Sequence, residues 1–305
     1  MRQFLTIAGL MALMAGPAAA QPVLFGTTAN PAPAAAFLAD QQGIFSANGL
    51  DLTVQIVTTD PTIPAALVSG SIQLASVTPT TLLNAVANGI DMVALTGTTV
   101  TTHQSRDIAI VASKDSGIAD AKGFEGKTLA IPGIGAVLDV MLRAWLDQHG
   151  VDTGTVKFIE MPLPAMADQL KAGRVDGLIT VDQFAQRMLG EGFAVLVANP
   201  LAELPEGQTA QVVVAMRDWA QNNPAAVAAV RLSMQQAQAL GKAEPDKLRA
   251  ALGAAMQLPP PVIANIALPV LDTTISPDQL AWWLDLMQKQ GLVTADVDPV
   301  EIVLP

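Results

Sequence analysis

Gly49-Leu50-Asp51, followed by the strand-like Thr53-Val54-Gln55-Ile56-Val57, recurs about a hundred residues later as Gly150-Val151-Asp152 and Thr155-Val156-Lys157-Phe158-Ile159. The echo extends in both directions. Leu67, Gly70 and Ile72 lead into Leu74-Ala75-Ser76-Val77; Leu170, Gly173 and Val175 lead into Gly177-Leu178-Ile179-Thr180. Upstream, Val23-Leu24-Phe25-Gly26 corresponds to Thr128-Leu129-Ala130-Ile131. Any βαβ chain shows glycine-punctuated echoes, but matched segments in the same order point to two similar α/β lobes. Loops at equivalent strand ends then face each other across a cleft, a geometry that traps a small molecule.

In the first copy, strands are expected at 23–26, 51–57, 72–76 and 91–95. Helices are expected from about Pro33 to Asn48, from Asp60-Pro61 to Ser69, and over Thr80–Ala87. The second copy repeats this order, with strands 127–131, 155–159, 175–180 and 193–197 and helices 135–149, 164–172 and 182–190. A threonine-rich linker, Thr98–Asp107, and a strand over 108–112 come between the copies. Asn199–Gln208 contains two prolines and reads as a return linker. The alternation predicts mainly parallel sheets covered on both faces by helices. Strand 210–216 follows, and then mainly helices. Asn223-Pro224 and Ser276-Pro277-Asp278 carry helix-start signatures, and Leu280, Trp283, Leu284 and Met287 have the spacing of a packed helix face.

The 305-residue chain is 51% hydrophobic and 14% charged, which gives ample material for two cores. A net charge of −11 argues against nucleic acid or an anionic membrane surface as a partner. Residues 1–20 read as a signal peptide: Arg2, a short apolar run from Phe4 to Met14, and Ala18-Ala19-Ala20 before Gln21. With no cysteine, the chain has no disulfide, no thiolate nucleophile and no lipid-anchoring cysteine. An exported protein of the periplasm without a membrane anchor is expected.

Signatures of catalysis are missing from the sequence. There is no Gly-x-Ser-x-Gly elbow, phosphate loop or His-Glu-x-x-His. The two histidines, His103 and His149, fall in a linker and at a helix end, and no metal site or cofactor is expected. Pro132-Gly133-Ile134-Gly135 allows two readings. Its backbone N–H groups, at the positive end of a helix, suit an anion; its glycines also suit a plain tight turn.

Several segments resemble periplasmic substrate-binding proteins of the nitrate/sulfonate/taurine type, a family that includes carriers of thiamine-precursor pyrimidines. Gly43-Ile44-Phe45-Ser46-Ala47-Asn48-Gly49-Leu50-Asp51-Leu52 is similar to the family's early "GxFxxxGLDV". Ala66-Leu67-Val68-Ser69-Gly70-Ser71-Ile72-Gln73-Leu74-Ala75 resembles "ALxxGxxDxA", with Gln73 in place of Asp. Asp115-Ser116-Gly117-Ile118 with Phe124-Glu125-Gly126-Lys127-Thr128-Leu129-Ala130, and Leu170-Lys171-Ala172-Gly173-Arg174-Val175-Asp176-Gly177, resemble two second-lobe motifs.

The resemblance implies a two-lobed type II periplasmic-binding fold. Lobe one is residues 21–102 plus 205–305, lobe two is 103–204, and the hinge segments lie near 100–107 and 199–209. It implies capture of a small organic anion and delivery to the membrane subunits of an ABC importer by a monomeric, non-enzymatic carrier. Ligands in such sheets lie outside the carboxyl ends of the strands. One wall is then Thr27, Thr28, Asn30, Ser76, Thr78, Thr80 and Thr98; the other is Gly133, Ile134, Gly135, Thr180, Asp182 and Gln183. An anionic head is expected on the N–H groups of Gly133-Ile134-Gly135 and on the Thr78 hydroxyl. Asp182 is either a helix cap or the partner of an ammonium group. A chorismate dehydratase-like lyase and a ligand-sensing receptor subunit are the competing functions on this fold.

Overall fold

The computed structural model describes residues 22–57 and 60–305. The expected signal peptide, 1–20, and its cleavage before Gln21 lie outside the described residues.

The first part of the chain runs β1 (Val23–Thr27), α1 (Ala34–Gln41), α2 (Ile44–Ala47), β2 (Leu52–Ile56), α3 (Ile63–Val68), β3 (Leu74–Val77), α4 (Pro79–Ala87) and β4 (Met92–Val100). The single helix expected over 33–48 is two helices, because Gly43 adopts φ +66° between them. The second part runs β5 (Ile108–Ser113), β6 (Thr128–Ile131), α5 (Val137–Gln148), β7 (Lys157–Glu160), α6 (Leu163–Lys171), β8 (Gly177–Val181), α7 (Asp182–Gly190), β9 (Ala194–Ala198) and α8 (Pro200–Glu203). Then come β10 (Thr209–Met216), α9 (Arg217–Asn222), α10 (Pro224–Ala243), α11 (Pro245–Ala255), α12 (Pro260–Asn265), α13 (Pro277–Lys289) and α14 (Pro299–Ile302).

Among the described residues two five-stranded sheets result, ordered β2-β1-β3-β10-β4 and β7-β6-β8-β5-β9. Each is mainly parallel, with one antiparallel strand in the same relative place. β10 pairs antiparallel with β3 and β4; β5 pairs antiparallel with β8 and β9. Each antiparallel strand enters its sheet directly after the chain has left the other sheet. The sequence echo is therefore a structural one, β1 to β4 repeating as β6 to β9.

β4 is longer than the expected 91–95, because its far half pairs with Thr209–Val213 of β10. Thr98 consequently lies inside the sheet and not in a linker. Helices cover both faces of the first sheet. On one face Phe25, Leu74, Val213 and Val93 pack with Leu38 of α1 and Met234 of α10. On the other, Val77, Ala94 and Val214 pack with Leu83 of α4 and Trp283 of α13. The expected stripe Leu280, Trp283, Leu284 and Met287 is buried here, and Trp283 Nε1 donates to the Thr209 carbonyl at 2.8 Å. Ser276 and Gln279 form the capping box that starts α13, whereas Asn223 makes no capping bond.

The same core continues into the second sheet, where Leu138, Met141 and Trp145 of α5 join Leu82 and Met287 in one cluster. Two polar contacts cross at this place: Asn84 Nδ2 donates to the Gly135 carbonyl at 3.3 Å, and Gln290 Nε2 to the Val140 carbonyl at 2.9 Å.

Candidate functional site

Parallel strands β1, β2 and β3 all end on one side of their sheet, and β6, β7 and β8 do so in theirs. The Asn84–Gly135 contact brings the helix that follows β3 against the loop that follows β6. The candidate site is therefore the region where these strand ends meet.

On the first wall the hydroxyls fall into separate local clusters. Ser76 Oγ donates to Gln211 Oε1 at 2.9 Å, and Thr98 Oγ1 donates to the Gln211 carbonyl at 3.1 Å. Thr28 Oγ1 accepts from Asn30 Nδ2 at 2.7 Å, and Asn30 Oδ1 accepts from the Ala32 N–H at 2.9 Å, a local turn. Thr80 is buried beside Thr78, with their hydroxyl oxygens 3.2 Å apart. Thr27 is fully buried, and its hydroxyl has no hydrogen-bond partner.

Thr78 caps α4, accepting from Thr81 N at 3.3 Å. It is also committed to a carboxylate. Asp60 Oδ2 accepts from Thr78 N, Thr78 Oγ1 and Thr81 Oγ1, each at 2.9 Å. The start of α4, expected to take a ligand's anionic head, already holds a carboxyl group of the chain itself. Burial holds the Asp60 carboxyl above its ordinary value, and the bonds from Thr78 and Thr81 offset only part of that rise. The other oxygen, Oδ1, is buried without a partner.

The second wall repeats this occupation. Gly135 adopts φ +73°, as the tight turn requires, and its N–H donates to Asp139 Oδ2 at 2.9 Å. The Ile134 N–H donates to Glu160 Oε2 at 3.1 Å, while the Ile134 side chain is exposed. Two of the N–H groups expected to bind a ligand anion thus bind carboxylates from α5 and β7. Helix-start N–H groups attract the nearest negative charge, and here the chain supplies it. Asp139 is completely buried and also accepts from Arg143 Nε at 2.7 Å. Burial still raises its carboxyl above the usual value, against the pull of Gly135 and Arg143.

Thr180 is buried at the end of β8, and its hydroxyl lacks a partner. Of the two readings of Asp182, the helix cap is not realised. Asp182 is the first residue of α7, after Val181, and its Oδ1 accepts from Gln186 Nε2 at 2.9 Å. Its N–H donates to the Asp107 carbonyl at 2.8 Å. The Asp107 carboxyl is raised by burial and then by the charge of Asp182. Gln183 is exposed. Asp60, Gln211, Asp139 and Glu160 are the residues that sequence reasoning passed over.

A surface concavity of about 360 Å³, lined by Leu67, Gln73, Met216 and Trp219 among others, lies at the opposite, amino end of β3. The histidines are structural: His149 Nδ1 contacts the Trp145 carbonyl at 2.8 Å, as expected of a helix end, and His103 Nδ1 contacts the Ala202 carbonyl at 2.9 Å.

The fold is that of known periplasmic binding proteins. The aliphatic sulphonate binding protein SsuA of Escherichia coli superposes with a TM-score of 0.78 at 20% identity, covering 93% of this chain and 92% of that one. The alkanesulfonate-binding protein SsuA of Xanthomonas axonopodis pv. citri, bound to MOPS, gives 0.76 at 21% identity over 94% and 99%. The nitrate-binding protein NrtA of Synechocystis PCC 6803 gives 0.75 at 15% identity over 93% and 85%. In sequence, the nitrate/nitrite binding protein NrtA of Synechococcus elongatus is 28% identical over 137 residues, which is 43% of this chain and 30% of that protein. The expected resemblance thus holds in fold and in sequence. Residues 30–248 match one family throughout, and by that match the chain belongs to the NMT1/THI5 like family.

Proposed function

We infer that this chain is the solute-binding component of an ABC-type importer. It captures a small organic solute with an acidic group, a sulfonate or carboxylate, between two lobes and hands it to a membrane permease. Residues 21–102 with 205–305 act as one lobe and 103–204 as the other. The chain works in the periplasm as a monomer, after removal of residues 1–20, and binds without turning its ligand over.

One observation carries the reading: two sheets of matching topology exchange one strand each, and their strand ends meet at α4 and the Gly133–Gly135 loop. The two connections between the sheets, near 100–107 and 199–209, serve as hinges. The family and the structural neighbours support a binding role over catalysis.

The test is a thermal-shift screen of the purified protein against sulfonates, carboxylates, nitrate and pyrimidines, with small-angle scattering on any hit. A ligand at a hundred times its Kd adds about 2.7 kcal/mol of stability. The expected result is a hit among the organic acids together with a more compact particle. Turnover of the hit, or an unchanged radius of gyration at saturation, would overturn the reading.

A further inference from the structure

β4 stands at the end of its sheet, and Met92–Val100 contains no charged residue. An uncharged edge of that length is a template for another strand. Two other segments of the chain cover it. Along the far half, the Val100 N–H donates to the Val270 carbonyl and the Asp272 N–H to the Thr98 carbonyl, each at 3.1 Å. Along the near half, Val303 bridges Ala94 in the parallel sense, and the Leu304 N–H donates to the Ala94 carbonyl at 2.9 Å. A surface concavity of about 370 Å³, lined by Thr96, Arg231, Thr273 and Leu304 among others, opens between the two covers. Two arginines hold the near one down. β4 bulges at Leu95, because Val213 pairs with Thr96 and Val214 with Ala94. A bulged residue is left out of the ladder, and the Leu95 carbonyl accepts instead from Arg231 Nε at 2.9 Å. The same guanidinium donates through Nη1 to a Pro305 oxygen at 2.8 Å and through Nη2 to the Leu304 carbonyl at 2.5 Å. Arg217 Nη2 donates to the Glu301 carbonyl at 3.0 Å, while its Nε holds Asp91, the residue before β4, at 2.8 Å.

We propose that residues 303–305 are a strap that keeps the near half of β4 from pairing with a second copy of this chain, and that Arg231 is its clasp. The clasp reads the bulge and the strap together: a guanidinium has a rigid fork of donors, and three of them fix the strap backbone against the one β4 carbonyl that the bulge sets free. The strap is joined to the edge itself by a single bridge, so its hold depends on the arginine. A second copy is the partner that fits a bared edge. Two identical β4 edges meet about a two-fold axis, the commonest closed symmetry, and no charge on Met92–Leu95 opposes the contact. The cover at 270–272 stays in place and confines the pairing to the near half. The proposal concerns the state of the protein in solution and holds whatever solute the carrier takes.

The experiment is size-exclusion chromatography with light scattering on the whole protein and on a variant lacking residues 303–305, with hydrogen exchange on Arg231→Met. The parent is expected to run as a monomer. The shortened variant should double its mass in a concentration-dependent way, and a large excess of a peptide with the sequence of Pro299–Pro305 should return it to a single mass. In Arg231→Met the strap remains but loses its clasp, so the Leu304 amide should exchange about ten-fold faster or more than in the parent. A folded, shortened variant that stays monomeric at every concentration overturns the strap. So does a dimer that persists in excess peptide, since its contact then lies elsewhere. Unchanged exchange at Leu304 in Arg231→Met overturns the clasp, and this measurement decides alone if the shortened chain fails to fold. A parent that is already a dimer overturns the strap and the monomeric state inferred above, and leaves solute capture standing.

Discussion

Thr101 and Gln208 are bonded to each other twice: the Thr101 N–H donates to the Gln208 carbonyl at 2.9 Å, and the Gln208 N–H donates to Thr101 Oγ1 at 3.1 Å. The same hydroxyl donates to the Pro205 carbonyl at 2.7 Å. The two connections between the sheets therefore run side by side, tied by one buried side chain. Thr101→Val removes both hydroxyl bonds and strands their partners, at a cost of about 1–3 kcal/mol. Thr101→Ser should recover most of it. Urea unfolding of the three proteins checks this, and a Thr101→Val midpoint equal to the parent's would show the tie to be idle.

Gly97 sits where β4 passes the 272–274 segment. A Cβ added there would lie 2.2 Å from the Thr274 carbonyl oxygen and 2.9 Å from that of Asp272. Both obstacles are backbone, so they cannot rotate away. Gly97→Ala is expected to destabilise by about 1–3 kcal/mol, as overpacking does. Thermal unfolding with no measurable loss would mean that the segment is free to shift.

Arg143 pairs with the buried Asp139 and lies 3.9 Å from the centre of the Phe158 ring. Arg143→Ala leaves that carboxylate buried and unpaired, worth about 3–5 kcal/mol at about pH 7. Without the guanidinium the Asp139 carboxyl rises further, so acid protonates and neutralises it more readily. The deficit should shrink between about pH 7 and about pH 4.5. Denaturant melts at both values test the sign; a deficit that grows in acid would contradict it.

Asp60 sets a second pH dependence. Its carboxyl is raised above the ordinary 3.8, chiefly by burial. The folded protein then holds this proton more tightly than the unfolded chain does. The Asp60 contribution to stability is greatest below that ordinary value and is lost as pH rises through the raised one. Asp60→Asn carries no such proton. In ligand-free protein, the stability of the variant relative to the parent should increase with pH across that window. A difference that is flat with pH would show that Asp60 titrates normally.

Strand positions were legible because each is a short apolar run closed by glycine, proline or a polar turn, as at Ile72–Ser76 and Val175–Thr180. All ten expected strands overlap an observed one. The seat of β10 between β3 and β4 was not legible, since pairing across more than a hundred residues leaves no local mark. At the site, the anion-seeking character of Gly133-Ile134-Gly135 could be read from glycines before a helix, but its occupants could not. Glu160 arrives from another strand. Asp139 did leave a signal, an acid four residues after Gly135 in the first turn of a helix. Asp60 beside Pro61 looked like an ordinary helix start, and its approach to Thr78 exists only in three dimensions.

The exchange of strands makes assembly of the molecule asymmetric in time. Every strand of the second sheet lies within residues 108–198, so that sheet can close on contiguous chain. The first cannot: among the described residues β4 has β10 as its sole neighbour in the sheet, and β10 begins at Thr209. A ribosome reading from the amino end delivers β1 to β4 first, yet β4 must wait, unpaired, while the whole of the second sheet is made. Such long closures slow folding more than they weaken the product, and an open apolar edge invites pairing with other chains in the interval. A chain stopped before Thr209 therefore keeps a complete second sheet beside a first one that has lost its bridge to β4.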